Sequence, residues 1–269
     1  PWEALDAPAR DRLRLHAQAW MLSQSFHGEQ VTMMAASRLV SQAPEAFIKT
    51  YAASQSFDDA RHLEAYRRLL ARIGVLYPMG RGLTEIAKIA LSQTQWDLTL
   101  FWVSVVLKSM GLANFQSLRD NAGPSLMRQV HAYAMVDETR HVAFARTVLA
   151  ARYAGLDEDE RRVREDALID ALGRMRDDVV EADEVYAEAG MDVAACHAAN
   201  EASLVVGMYR ALMFQRLVPT VRAIGLFSPR IREAFDELGV LDYADLELPT
   251  FLAAERRAAR EIEAELTAG

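Results

Sequence analysis

Two stretches decide how this chain reads: Asp58-Asp59-Ala60-Arg61-His62 and Asp137-Glu138-Thr139-Arg140-His141. Each sets a carboxylate three residues before a histidine, inside the same frame of aspartate, carboxylate, variable residue, arginine and histidine. Residues three apart on a helix share a face. Asp59 with His62, and Glu138 with His141, can therefore aim an oxygen and an imidazole nitrogen at one metal ion. A single such pair arises easily by chance on an acidic helix; the same frame written twice does not. The copies are offset by 79 residues, from Asp58 to Asp137, and the offset locates further partners. Glu29 lies 30 residues before Asp59, and 30 residues before Glu138 stands Lys108.

Around these stretches the chain reads as helix. Glycine and proline cluster at Pro44, Gly74 to Gly82, Gly123-Pro124, Gly155, Gly190, Gly225 to Pro229 and Gly239. Between them apolar residues recur every three or four positions, as in Leu63, Tyr66, Leu70 and Val142, Ala145, Val148. The pattern predicts helices at about 11–41, 45–73, 83–116, 124–154, 158–189 and 193–224, then an irregular stretch and a shorter helix at about 249–266. Helices of about 30 residues span about 45 Å and suit an up-and-down bundle. The expectation is one all-α domain over 1–269, with the ligand-bearing bundle at about 11–154 and accessory helices at about 158–269.

Composition bounds the rest. The 269 residues are 51% hydrophobic and 25% charged, which supports a substantial core. Lys+Arg number 30 against 38 Asp+Glu, a formal charge of −8, and no basic run offers a surface for nucleic acid. The most apolar stretch, Leu98 to Leu107, is about half of the roughly 20 residues a membrane span needs. No charged-then-apolar secretion pattern opens the sequence, so a soluble, cytoplasmic protein is expected, and the lone Cys196 agrees with a reducing compartment.

A bundle in which two helices each give one carboxylate, and two each give a carboxylate-x-x-His pair, is a di-metal site. Here the positions are Glu29, Asp59 with His62, Lys108, and Glu138 with His141, so a lysine stands where a carboxylate belongs. The sequence resembles the ferritin-like di-iron carboxylate proteins, which include ribonucleotide reductase small subunits, bacterial multicomponent monooxygenases and bacterial oxidase-like proteins. Leu22-Ser-Gln-Ser-Phe-His-Gly-Glu29-Gln30 looks like the first ligand helix of a bacterial group, and Asp58–His62 and Asp137–Phe144 look like its second and fourth. Trp96-Asp97, then Lys108 and Gly111-Leu-Ala-Asn-Phe115, look like its third. The resemblance spans about residues 15–155 and implies an oxygen-activating pair of iron ions, or iron with manganese, that oxidises an organic substrate or a tyrosine.

Two departures stand out. Asp59 replaces the usual glutamate and keeps the charge; Lys108 replaces a glutamate that commonly bridges the metals. Four carboxylates match two divalent ions, whereas three carboxylates and an ammonium total −2 and match one. A second divalent ion would leave +2 in a low-dielectric interior. One iron or manganese per chain is therefore expected, with Lys108 in the place of the second and dioxygen as co-substrate. A metal-free enzyme in which Lys108 is the chemical group, and a silent binding protein with a retired site, remain the alternatives. Three acidic neighbours favour the ammonium form of Lys108 over burial's opposite pull.

Asp58 and Asp137 are expected to accept hydrogen bonds from His141 and His62, with Arg61 and Arg140 holding those aspartates or forming ordinary surface pairs. Residues one turn from the ligands, Phe26, Met33, Phe101, Val105, Ala134 and also Tyr66, together with His131 two turns from Glu138, are candidates for a mostly apolar substrate pocket; a plain core stripe reads the same way. Asp97 lies eleven residues, about 16 Å, from Lys108 and is too far to be a ligand. Cys196, His197, His16 and His27 read as structural. A small-molecule substrate, an electron donor and a homodimer are the expected partners; nucleic acid and membrane are not.

Overall fold

The computed structural model describes residues 2–121, 125–177 and 182–267, and every regular element among them is helical. Helix α1, Ala7–Gln42, begins at Asp6, whose carboxylate accepts the Ala9 N–H at 2.8 Å, with a proline in the first turn. Helix α2, Ala46–Ile73, returns alongside it and stops at Gly74, where φ of +82° lets the backbone turn left-handed and its N–H reach the Leu70 carbonyl at 2.8 Å. Helix α3, Arg81–Ser92, leads to the central helix α4, Trp96–Asn121, and then α5, Ser125–Tyr153. Helices α6 (Glu158–Asp177), α7 (Asp183–Glu188), α8 (Val193–Glu201), α9 (Leu204–Ala223), α10 (Pro229–Glu237) and α11 (Leu248–Thr267) follow.

The long helices carry two apolar tiers with a polar layer between them. One tier gathers Leu39, Ile48, Phe101, Val105 and Leu149. The other gathers Leu22, Tyr66, Leu70, Phe115 and Met135. On α1, α2 and α4, Glu29, Asp59 with His62, and Lys108 fall between the two, while on α5 Glu138 and His141 lie at the edge of the second tier, beside Val142. Each buried large side chain contributes about 1.5–3 kcal/mol, so the tiers hold the helices on either side of the polar layer. Buried ion pairs tie the accessory helices on: Arg164 of α6 to Asp97 at 2.8 Å, and Glu255 of α11 between Arg119 (2.6 Å) and Arg216 (3.0 Å).

Several boundaries differ from expectation. The helix predicted at 83–116 breaks at the polar run Ser92-Gln93-Thr94-Gln95, where the Gln93 carbonyl accepts from Arg38 (2.8 Å) and Gln42 (3.2 Å) of α1. The stretch 158–189 holds α6 and α7, with 178–181 outside the described residues. The stretch 193–224 divides at Ala202 and Ser203, the C-cap of α8 and the N-cap of α9. Helix α10 arises inside the supposedly irregular stretch, with Ser228 as its cap and Ile231 and Phe235 buried. Helix α4 is long and apolar enough to cross a membrane, but that apolarity is spent on the core, where nearly all of it is buried.

Candidate metal centre

Helix α4 widens into a π turn over Phe101–Leu107, and the Lys108 N–H bonds five residues back to Val103. The π turn ends where Lys108 enters the polar layer. Lys108 Nζ lies 2.7 Å from Asp59 Oδ1, 2.6 Å from Glu138 Oε2 and 3.4 Å from Glu29 Oε2, and it donates to Thr32 Oγ1 at 3.3 Å. Its 3% exposure makes this a buried cation among three buried carboxylates. Burial works against the ammonium, but Asp59, Glu138 and Glu29 overcome it and raise its pKa. Burial pushes the Asp59 carboxyl up to about 7 against the pull of Lys108, with Glu29 and Glu138 adding to the rise; the proton stays on Lys108 because the lysine is raised well above that.

The other half of the layer belongs to His62. Its Nδ1 is 3.1 Å from Glu138 Oε1 and 3.4 Å from Glu29 Oε1. His141 Nδ1 lies on the lysine's side, 3.6 Å from Glu138 Oε2 and 3.9 Å from Asp59 Oδ1. Glu138 is thus the carboxylate that faces both halves. Burial depresses both imidazoles, yet Glu29 and Asp137 at His62, and Glu138 and Asp58 at His141, raise them overall. Glu138 is pushed up by burial but held well below the usual range by Lys108 and His141.

Behind the histidines, His62 Nε2 is 3.3 Å from Asp137 Oδ2 and His141 Nε2 is 3.2 Å from Asp58 Oδ2. Arg61 bonds Asp58 (2.6 Å) and Asp137 (3.1 Å); Arg140 bonds Asp137 (2.6 Å) and Asp58 (3.2 Å). The quartet repeats the 79-residue offset in space. Both arginines are half-exposed, so they are surface groups and holders of the aspartates at once. The hydrogen bond to His141, opposed by burial, pulls the Asp58 pKa down; burial pushes Asp137 up, and the bond to His62 brings it below the usual range. Ionised aspartates keep a proton on each Nε2 and turn each Nδ1 inward.

A cavity of about 330 Å³ runs from this layer outward between α1, α4 and α9. Glu29, Thr32 and Lys108 close its inner end, and Val206, Tyr209 and Met213 of α9 form an outer wall. None of Phe26, Met33, Phe101, Val105, His131, Ala134 or Tyr66 lines it. This cavity therefore lies apart from the residues expected to border a substrate, and the reason is packing. Phe101 and Val105 belong to one apolar tier, Ala134 and Tyr66 to the other, with Phe26 packed against the latter. Met33 borders an outer groove, and His131 is stacked on Tyr66 with its Nδ1 2.7 Å from the Met127 carbonyl. Burial holds His131 down at about 4, so it stays neutral. Thr32, Gly28 and the α9 residues escaped the sequence reading. Thr32, three residues after Glu29, had a helical-spacing signal; α9 had none.

His16 and His27 both contact Tyr77, and His197 pairs with Asp183, away from the centre. Cys196 is buried as a free thiol.

The family model described as p-aminobenzoate N-oxygenase AurF matches residues 1–234. This chain belongs to the AurF family. AurF-family proteins are ferritin-like di-iron oxygenases, so this member is an oxygen-dependent enzyme of the oxidase or oxygenase type, and its family implies the use of iron and dioxygen. A protein with aldehyde deformylating oxidase activity from Synechococcus shares the fold, with a TM-score of 0.67 and 14% identity over 87% of this chain and 100% of that one. No curated protein matches.

The residues present fit a metal ion. Glu29, Asp59, His62 and Glu138 are buried and offer ligand atoms within 4.8 Å of one another, with His141 just outside that set. Asp59 Oδ2, His62 Nδ1, Glu138 Oε1 and Oε2, and His141 Nδ1 are all buried without an aligned hydrogen-bond partner. Such atoms are costly unless something occupies the space they face. The short Lys108 to Glu138 approach is Coulombic rather than a directed hydrogen bond.

Proposed function

We propose that this AurF-family enzyme works with one iron or manganese ion per chain, held by Glu29, Asp59, His62 and Glu138 with His141 beside them, while the Lys108 ammonium serves as the second cation. The ion-pair geometry of Lys108 carries this reading: at 2.6 Å from Glu138 and 2.7 Å from Asp59, it compensates the carboxylates a second ion would require. The bound metal supplies the redox chemistry that activates dioxygen. The chain's own residues do the positioning. Asp58 and Asp137 fix the two imidazoles, and Arg61 and Arg140 fix the aspartates. Lys108 places a permanent positive charge at the inner end of the cavity, preorganised toward negative charge developing there.

The substrate in this reading is a small, largely apolar molecule bound in the 330 Å³ cavity, whose mostly apolar walls exclude water from Glu29, Thr32 and Lys108. Gly28 supports this and gives the test. A Cβ at Gly28, on the cavity wall, meets no atom within 4 Å, so a larger side chain there grows into the space a substrate would use. Gly28→Leu should keep the metal content of the parent. Its substrate-stimulated dioxygen consumption, with a panel of small apolar compounds and a chemical reductant, should fall at least tenfold. Undiminished consumption would place the substrate elsewhere.

One observation favours a second reading, an enzyme that works without metal. With the carboxylates ionised, Lys108 and two protonated imidazoles balance Glu29, Asp59 and Glu138 with no ion at all. The same arithmetic suits one divalent ion, which exchanges for two imidazole protons without changing the net charge. Metal content separates the two.

A further inference from the structure

Helix α5, which carries Glu138 and His141, also borders a second cavity of about 240 Å³ that shares no lining residue with the first. Arg146, Arg216 and Arg256 line it, and no carboxylate does, although acidic residues outnumber basic ones 38 to 30 in the chain. Its remaining walls are apolar apart from two threonines, and both hydroxyls are engaged with backbone carbonyls.

The three guanidiniums are not equivalent. Arg216 is satisfied: it bonds Gln116 at 2.7 Å and Glu255 at 3.0 Å, and it lies 5.5 Å from the ring centre of Phe251, another wall residue. Arg256 is exposed, and its side chain has no ion-pair partner among the described residues. Arg146 is the telling group. It is partly buried, it makes no hydrogen bond or ion pair among the described residues, and burial alone acts on it, lowering its pKa. A guanidinium taken partly out of water with no acid facing it stands ready for an anion, and its planar fork matches a carboxylate through two parallel hydrogen bonds.

We infer that this cavity binds a small organic carboxylate, with Arg146 holding the carboxylate, Arg256 adding charge at the rim, and Phe251 with the aliphatic walls covering a short apolar body. The volume lies below that of drug-sized pockets, roughly 300–1,000 Å³, which limits the ligand to a short chain. Inorganic anions lack the body that the apolar walls would cover.

The test is isothermal titration calorimetry on the full chain at constant ionic strength, with hexanoate as probe and hexan-1-ol and sulfate as comparators. Hexanoate should bind, and the alcohol and sulfate should each bind at least tenfold more weakly. Arg146→Gln should weaken hexanoate at least tenfold with metal content unchanged, whereas Gly28→Leu, which fills the other cavity, should leave hexanoate binding intact. No binding of hexanoate, equal binding of the alcohol or of sulfate, or unchanged binding by Arg146→Gln would overturn the assignment. So would loss of binding in Gly28→Leu, which would put the acid in the larger cavity. Should Arg146→Gln fail to fold, Arg256→Gln takes its place: at least threefold weaker binding supports the site, and unchanged binding overturns it.

Discussion

Replacing Lys108 by methionine removes one positive charge while keeping an unbranched side chain of similar length. Lys108 Nζ stands 2.7 Å from Asp59, 2.6 Å from Glu138 and 3.4 Å from Glu29, all of them buried. Breaking a buried pair by deleting one partner costs about 3–5 kcal/mol, because the remaining charge stays in low dielectric without compensation. At roughly 2–4 °C per kcal/mol for a chain of this size, the melting midpoint should drop by about 6–20 °C. The metal dependence should change as well. The variant centre carries one negative charge more than the parent, so a divalent ion replaces the missing compensation. Manganese(II) under anaerobic conditions should therefore raise the variant's midpoint more than the parent's, beyond the roughly 2.7 kcal/mol expected at a hundredfold excess over Kd. Differential scanning calorimetry with and without metal reads both effects. A metal-free variant within about 1 kcal/mol of the parent, together with equal metal shifts in the two proteins, would refute the view that Lys108 is the compensating cation.

Two further outcomes follow from the same geometry. Asp137→Asn weakens the acceptor 3.3 Å from His62 Nε2, and metal affinity should fall about 10–100-fold, measured by competition with a chromogenic chelator; an unchanged affinity would show that Asp137 does not orient the ring. His131 has a folded pKa of about 4 against about 6.5 when unfolded, so the unfolded chain takes up its proton first as pH falls. Its contribution is complete above about pH 6.5 and falls as pH drops toward 4, by roughly 2–3 kcal/mol at pH 4.5. Urea melts of the parent and of His131→Leu at pH 7 and 4.5 should show the parent losing that much more; parallel losses would contradict a neutral buried His131.

What the sequence displayed, and what it concealed, follows the range of the forces involved. The carboxylate-x-x-His frames are local, set by helical spacing, and the offset between them is a property of the chain alone, so Glu29, Asp59, His62, Lys108, Glu138 and His141 could be named together before any coordinates. The helices α1, α2 and α5 were legible for the same reason, being long and periodic. The break at Gln93 was not, because it depends on Arg38 and Gln42 from another helix reaching one carbonyl. Nor was the π turn before Lys108, whose run Val103-Ser104-Val105-Val106 reads as ordinary apolar helix. The pocket was read from residues beside the ligands, and most of those pack into the apolar tiers, while the free volume lies between α1, α4 and α9. Helix α9 is placed by long-range pairs such as Arg216 to Gln116 of α4 and to Glu255 of α11, which no local spacing announces.

The central claim is that Lys108 occupies the place of a second ion, and metal stoichiometry tests it most directly. Elemental mass spectrometry, on protein expressed with iron and manganese and never exposed to chelator, should find about one ion per parent chain and about two per Lys108→Glu chain, by the compensation of buried charge. Two ions in the parent, or no gain on replacing the lysine by glutamate, would contradict it.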